Sequence, residues 1–283
     1  MIQVNSLSYT YPNASSEVLH ALDFEIGKGE IFGFLGPSGA GKSTTQKILY
    51  RILTDFRGEV KIEGKDINAW DNSFFEKIGV GFELPNHYQK LSGKENLDLF
   101  GSFYSQDKLR AAEELFDLLG MRDSMNDRVE TYSKGMKMRL NFMRAIMHDP
   151  EILFFDEPTA GLDPVNAHKI KDLIKELRAK GKTIFITTHN MMTADELCDR
   201  VSFIVDGKIR ITDVPFDLKK AYGQNQVKVV LDNGKTQDFE MKGLGENTDF
   251  LSFIQAGEIS SIQSQEASLE EVFIKVTGTS LMP

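Results

Sequence analysis

Cysteine is nearly absent from this chain: Cys198 is the single one in 283 residues. One thiol makes neither an intrachain disulfide nor a cysteine-based metal cluster, so a reducing compartment suits the protein, and Cys198 reads as a buried small hydrophobe. There is no excess of positive charge either. Lys and Arg number 33 against 42 Asp and Glu, for a formal net charge of -9. A broad nucleic-acid surface needs cations to displace phosphate counterions, so nucleic acid is not expected as a partner. Long apolar runs are missing too. No uncharged stretch approaches the roughly 18 residues that mark a membrane span, so any membrane role must come through a partner. The first residues, Met1-Ile2-Gln3-Val4-Asn5, carry neither a basic segment nor a signal-like apolar stretch, which predicts a protein that stays in the cytosol.

What is present is enough to build a large core. With 41% hydrophobic residues the chain can fill one large α/β domain and a small appendage. Ile31-Phe32-Gly33-Phe34-Leu35 is a short apolar run between Glu30 and Gly36, as expected of a strand buried on both faces of a parallel sheet. Similar runs recur at Ile152 to Phe155, Thr183 to Thr187 and Val201 to Val205, with helical patterns over Val165 to Ala179 and Met191 to Leu197 between them. That rhythm predicts a right-handed parallel α/β sheet. The segment Val18 to Ile26, followed by Gly27-Lys28-Gly29, alternates instead and predicts an antiparallel β layer at the N-terminus.

Between Asn86 and His148 the pattern is helical, over Gly93 to Phe103, Lys108 to Leu119 and Lys134 to Met147, which reads as a helical subdomain of about residues 86–148 inserted in a domain of residues 1–212. Leu115, Leu118 and Leu119 share one face of the middle helix and read as core. Residues 213–283 read as a small α+β domain. Its hairpin, Val227 to Leu231 and Thr236 to Met241, is joined through Asp232-Asn233-Gly234, where Asn-Gly suits a type I′ turn. Ile259 to Gln263 suggests another strand, and Ser268 with Glu271 three residues on predicts a capped last helix.

The chemistry begins after the first buried strand. Gly36-Pro37-Ser38-Gly39-Ala40-Gly41-Lys42-Ser43-Thr44 fits GxxxxGK[ST] at every fixed position, between a predicted strand and a predicted helix. Such a loop turns backbone N–H groups and a helix dipole toward phosphate oxygens, with Lys42 set to neutralise the β- and γ-phosphates of ATP and Ser43 to ligate Mg2+. An ordinary glycine-rich turn is the bland alternative. Asp156 and Glu157 end the strand Ile152 to Phe155 at the sheet edge where α/β proteins bind ligands. Asp156 suits Mg2+ held through water, and Glu157 suits polarisation of the attacking water; in isolation the pair would equally serve as a helix cap. His189 follows Thr183 to Thr188 at another strand end. Alone it would be a packed or solvated residue; converging strand ends make it a candidate for the γ-phosphate.

Taken together, these elements resemble the nucleotide-binding subunit of ABC transporters, over roughly residues 1 to 212. The resemblance rests on the phosphate loop, the run Tyr132-Ser133-Lys134-Gly135-Met136, the acid strand, Ala160-Gly161-Leu162-Asp163 and His189, in the family's order. It implies a P-loop NTPase core with a parallel sheet, ATP hydrolysis with Mg2+, and a dimer that closes on two ATP molecules. Ser133 and Gly135 match the signature positions that reach γ-phosphate across that dimer; a plain N-cap is the alternative for Ser133. Asp163 matches the loop coupling the two sites. Tyr11 resembles the aromatic that stacks on adenine, with Tyr9 as a substitute and core packing open for either. The implied partners are a second ATP-binding subunit, identical or a close paralogue, and an integral-membrane permease that holds the protein at the inner face of the cell membrane.

Two departures stand out. The family's LSGGQ reads here with Lys134 for the first glycine and Met136 for glutamine. Glu83, in Ile78-Gly79-Val80-Gly81-Phe82-Glu83-Leu84-Pro85, stands where the family has glutamine in the loop joining core and helical subdomain, and it remains able to ligate Mg2+. The tail Ala267-Ser268-Leu269-Glu270-Glu271-Val272-Phe273 and the Tyr-Ser-Lys-Gly-Met form of the signature resemble the exporter branch that handles drugs, antibiotics or lipids. An ABC-type ATPase acting on DNA or the ribosome is the alternative, though the long coiled coils, zinc modules or paired cassettes of those relatives are missing. A solitary P-loop kinase or GTPase leaves the signature and His189 without a role.

Overall fold

A computed structural model describes residues 1–84, 86–223, 226–264 and 267–279 in full, and the backbone of Gln265. Pro85, the last residue of the run that starts at Ile78, lies outside the described residues. The chain divides into two compact units, Met1–Thr212 and Asp213–Pro283. No helix among the described residues is long and apolar enough to cross a membrane.

The first unit opens with an antiparallel layer. β1 (Ile2–Tyr9) pairs with β2 (Leu19–Ile26), placing Ile2 opposite Ile26 and Val4 opposite Phe24. β3 (Ile31–Leu35) then starts the second sheet and leads through the glycine-rich loop into α1 (Lys42–Leu49). β4 (Arg57–Ile62) returns to the free side of β1, and β5 (Lys65–Asp66) closes the layer in the order β2-β1-β4-β5. Alternation explains the pattern: Ile2, Val4, Leu22, Phe24, Val60 and Ile62 face inward and are buried.

α2 (Ser73–Lys77) precedes β6 (Ile78–Gly81). The helical segment follows, with α3 (Gly93–Gly101), α4 (Ala112–Leu118) and α5 (Lys134–Ile146). The chain then re-enters the sheet through β7 (Ile152–Asp156), α6 (Pro164–Ala179), β8 (Thr183–Thr188), α7 (Met191–Leu197), β9 (Arg200–Val205) and β10 (Lys208–Asp213). The sheet order is β10-β9-β3-β8-β7-β6. β6, β7, β8, β3 and β9 run parallel, so the carboxyl ends of β3, β7 and β8 emerge side by side.

Between the two layers lies a phenylalanine cluster. Phe185 on β8 has Phe34 at 5.6 Å, Phe32 and Phe154 each at 6.1 Å, and Phe24 of the antiparallel layer at 6.2 Å between ring centroids. Each such ring contributes about 1.5–3 kcal/mol by leaving water. The second face of the sheet is covered by helices, as where Phe142 of α5 stacks on Phe155 at 5.0 Å.

The second unit contains α8 (Pro215–Tyr222), β11 (Gln226–Leu231), β12 (Thr236–Glu240), α9 (Thr248–Gln255), β13 (Ile259–Gln265) and α10 (Leu269–Thr277). Its sheet, β12-β11-β13, buries Val227, Val229, Leu231 and Phe239 against Phe250, Phe253 and Ile254. Ser268 and Glu271 form the capping box that their spacing suggests.

Several local expectations need correction. The Asn233-Gly234 turn is not type I′: only Gly234 has positive φ, at 80°, while Asn233 accepts a bond from Lys235 N through its side chain. That is a type I turn followed by a left-handed glycine. Two-residue connections with positive φ at both positions occur instead at Glu63-Gly64, 54° and 75°, between β4 and β5, and at Asp206-Gly207, 50° and 67°, between β9 and β10. Ile78 to Gly81 is an edge strand and not loop, because the bare faces of Gly79 and Gly81 let it lie against Ala145 and Phe155. α4 begins at Ala112, after a 3-10 turn over Gln106–Lys108, and its buried face is Leu115, Phe116 and Leu119, with Leu118 half-buried.

Candidate active site

β3 delivers the phosphate loop to the end of the sheet, and two of its glycines show why it takes this course. A side chain at Gly36 would meet the backbone oxygen of Ile204 at 2.1 Å. Gly41 has φ of 104°, and a side chain there would meet Leu19 Cδ2 at 2.6 Å. The loop is thus pressed against β9 and β2, and the first turn of α1 opens beyond it with its free N–H groups. Lys42 Nζ donates to Gly36 O at 2.7 Å and to Pro37 O at 3.0 Å, laying the side chain back along the loop. Burial holds its ammonium below the ordinary lysine range; the carboxylates of Glu157, Asp156 and Glu83 act in the opposite direction without cancelling it.

β7 brings the two acids to the same edge. Asp156 accepts from Ser43 Oγ at 3.1 Å and from the Thr187 hydroxyl, so both of its oxygens are engaged. Glu157 is buried and has φ of 49°, an uncommon conformation for a residue with a side chain. Its backbone N–H donates to Thr187 O at 2.9 Å. The carboxylate turns to the end of β8. Oε1 accepts from His189 N at 2.8 Å and sits 2.6 Å from His189 Nδ1, and Oε2 accepts from Thr188 Oγ1 at 2.7 Å.

These groups line one cleft of about 390 Å³, formed by Val18, Ser38, Gly39, Gly41 to Thr44, Glu83, Asp156, Glu157 and His189. Gly36, Pro37 and Ala40 support it from behind; Ala40 O accepts from Gly207 N at 3.1 Å. Glu83 reaches the cleft because α5 holds its loop: Asn141 Nδ2 donates to Phe82 O at 2.8 Å, and Arg144 Nη1 donates to Asn86 O at 3.4 Å while its guanidinium lies 5.5 Å from the Phe82 ring. Tyr11 is half-buried, with its hydroxyl 3.0 Å from Thr44 Oγ1 and its ring edge-on to Tyr9. Tyr9 is buried in the core and offers no face to a base, which removes it as the substitute.

Ser133, Gly135 and Asp163 do not line this cleft. Ser133 is the N-cap of α5 and accepts from Met136 N at 3.2 Å; the first turn carries no acid. Asp163 is the N-cap of α6 and accepts from Val165 N and Asn166 N, each at 3.1 Å, and from Asn166 Nδ2 at 2.6 Å, with its carboxyl held below the usual range chiefly by that side-chain amide and then by the Asn166 backbone N–H. The two caps are neighbours. A side chain at Gly161 would meet Lys134 Cε at 2.7 Å, so the Lys134 stem lies across the glycine, and Gly135 is in ordinary contact range of Leu162.

Three site groups escaped the sequence reading: Thr187 and Thr188, whose hydroxyls grip the two acids, and Gln46, which is buried and donates to Phe155 O at 3.0 Å behind them. The signal for the threonines was a pair of hydroxyls ending an otherwise apolar buried strand.

A phosphate loop, a strand-end acid pair and a histidine in one cleft at the carboxyl edge of a parallel sheet define a P-loop nucleotide hydrolase. Residues 19–160 match the ABC transporter family. A fluoroquinolones export ATP-binding protein of Mycobacterium tuberculosis is 49% identical over 285 residues, covering 99% of this chain and 94% of that protein. Among solved structures, an ATP-binding subunit of an ABC transporter superposes with a TM-score of 0.71 at 27% identity, covering 78% of this chain and 93% of that one. A dimeric ATP-binding cassette in a post-hydrolysis state bound to ADP and Pi superposes at 0.69, also at 27% identity, over 76% of this chain and 98% of that one. The chain belongs to the ABC transporter ATP-binding family. It is an ATP-binding, ATP-hydrolysing subunit, and the alternative of an ATPase directed at DNA or the ribosome is not favoured.

Proposed function

We propose that this subunit works as a pair, closing on two ATP molecules to power a separate membrane permease that exports its cargo. The observation that carries the reading is the division of the site. The phosphate loop, Glu83, Asp156, Glu157 and His189 share one cleft, while the α5 start at Ser133 and Gly135 lies outside it. A helix N-terminus without an acid in its first turn favours an anion, and a second copy facing the cleft supplies one. The exposed Val165, 78% accessible, and Met192, 83% accessible, beside Asp163 and His189 suit burial in that pairing.

In this reading Lys42 and the loop from Gly36 to Thr44 hold the phosphates, Tyr11 borders the adenine, Glu157 polarises the attacking water, and His189 binds the γ-phosphate. Ser133, Gly135 and Asp163 act on the ATP of the partner. Ser43, Asp156 and Glu83 are the Mg2+ ligands. Ser43 Oγ lies 3.1 Å from Asp156 Oδ2 and Glu83 lines the same cleft, a small oxygen set suited to a Mg2+ that completes its shell with phosphate and water. Bound there, Mg2+ neutralises phosphate charge. Export, with attachment to the inner face of the membrane through the permease, rests on the 49% identical relative, named for fluoroquinolone export.

Mixing two inactive variants tests the division. Lys42→Ala disables a phosphate loop and Ser133→Arg disables a signature; each alone is expected to lose hydrolysis. The two mixed form dimers with one site intact on both sides, so hydrolysis should return. Failure of the mixture to hydrolyse, with both variants folded and dimeric, contradicts a shared site between identical chains.

A further inference from the structure

Glu157 is held from two directions that differ in rigidity. His189 presents its backbone N–H and ring to Oε1, but its side chain is 60% accessible and lies on the loop after β8. Thr188 presents its hydroxyl to Oε2 and is 1% accessible. It ends β8, an inner strand bonded on one side to β3, where Thr188 pairs with Leu35, and on the other to β7. Thr188 Oγ1 also accepts from Asn190 N at 2.9 Å. With that N–H occupying a lone pair, the single hydroxyl proton is directed at Oε2.

We infer that Thr188 is a positioning residue for the reaction, acting through Glu157 and fixing the carboxylate through Oε2 while Oε1 exchanges its side-chain partner. This rests on the reading of Glu157 as the group that polarises the attacking water. Glu157 sits at φ of 49°, so its backbone alone does not secure a common side-chain direction, and a carboxylate that serves as base must present one oxygen to water. If the His189 ring turns to the γ-phosphate, Nδ1 leaves Oε1, which keeps only the backbone N–H of His189. The Thr188 hydroxyl is then the side-chain donor still in place, and it leaves Oε1 as the oxygen facing the cleft. A serine supplies the same hydroxyl; a valine of the same shape does not.

The test uses the full chain and four variants: Thr188→Val, Thr188→Ser, Glu157→Gln and the Thr188→Val/Glu157→Gln pair. Removing a hydrogen bond to a charged group from the reacting geometry predicts that Thr188→Val lowers kcat about tenfold or more, with KM for MgATP changed less than about twofold. Thr188→Ser restores most of the rate. In single-turnover assays the double variant is no slower than Glu157→Gln alone, because Thr188 has nothing left to position. Thr188→Ala provides the same comparison if the valine variant does not fold. Wild-type kcat in the hydroxyl-free variants overturns the proposal, as does a full additional loss in the Glu157→Gln background. Undiminished turnover by Glu157→Gln overturns the assignment of the base itself, a result distinguishable from failure of the Thr188 proposal alone.

Discussion

His87 offers a sharp physical test of how the loop bearing Glu83 is tied to the signature helix. The residue is 4% accessible, and its Nε2 lies 3.0 Å from Lys137 O on α5. As the neutral tautomer with Nε2–H it donates to that oxygen, and Nδ1 has no partner among the described residues. Protonation would put a second N–H into this buried place, facing the charges of Arg144 and Lys137. Burial is the main cause, and it pushes the group from 6.5 down to about 4. Above pH 6.5 neither the folded nor the unfolded chain carries the proton, and the folded state has its full stability. As pH falls below 6.5 the unfolded chain takes up a proton that the folded chain refuses, so stability is lost until about pH 4, where the folded group protonates too. At about 1.4 kcal/mol for each tenfold in binding, the loss totals about 3 kcal/mol. Urea unfolding of wild type and His87→Gln at pH 7 and pH 4.5 isolates this group from the many carboxylates common to both. Glutamine can still donate to Lys137 O without titrating. The wild type should lose about 2–3 kcal/mol more than the variant on acidification, and parallel losses in the two proteins would refute the reasoning.

Two further outcomes follow from packing. Phe185→Ala removes the ring shared by both sheets and should cost about 3–5 kcal/mol, read as a lower urea midpoint with little change in slope. Gly36→Ala forces the loop away from Ile204 O, which a methyl would approach to 2.1 Å; ATP affinity measured by calorimetry should fall at least about tenfold, the equivalent of 1.4 kcal/mol.

How much of this was legible in the sequence depends on how local the cause is. Ile31 to Leu35 and Ile152 to Phe155 read correctly because a strand buried on both faces must be apolar throughout. The phosphate loop was legible because its glycines answer to contacts that admit no side chain. Asn233-Gly234 misled because the dipeptide permits type I′ geometry without requiring it, and the side chain of Asn233 chose a bond to Lys235 N instead. β6 was hidden by Gly79 and Gly81, which lower strand propensity but allow close approach to α5 and β7. The partners of Thr187 and Thr188 could not be read locally, since their hydroxyls meet acids 31 residues earlier in the chain, on the neighbouring strand. Ser133 showed the limit of one chain: its capping role is visible in the helix it starts, whereas any ligand it serves comes from another molecule.

Hydrolysis between two subunits, with Glu157 ending each closed state, is read out by light scattering of Glu157→Gln with and without MgATP. The mass should shift with ATP from the 31.9 kDa of one chain to twice that value, with turnover abolished and the dimer persisting. A variant that stays monomeric at saturating ATP, or that hydrolyses at the wild-type rate, would contradict it.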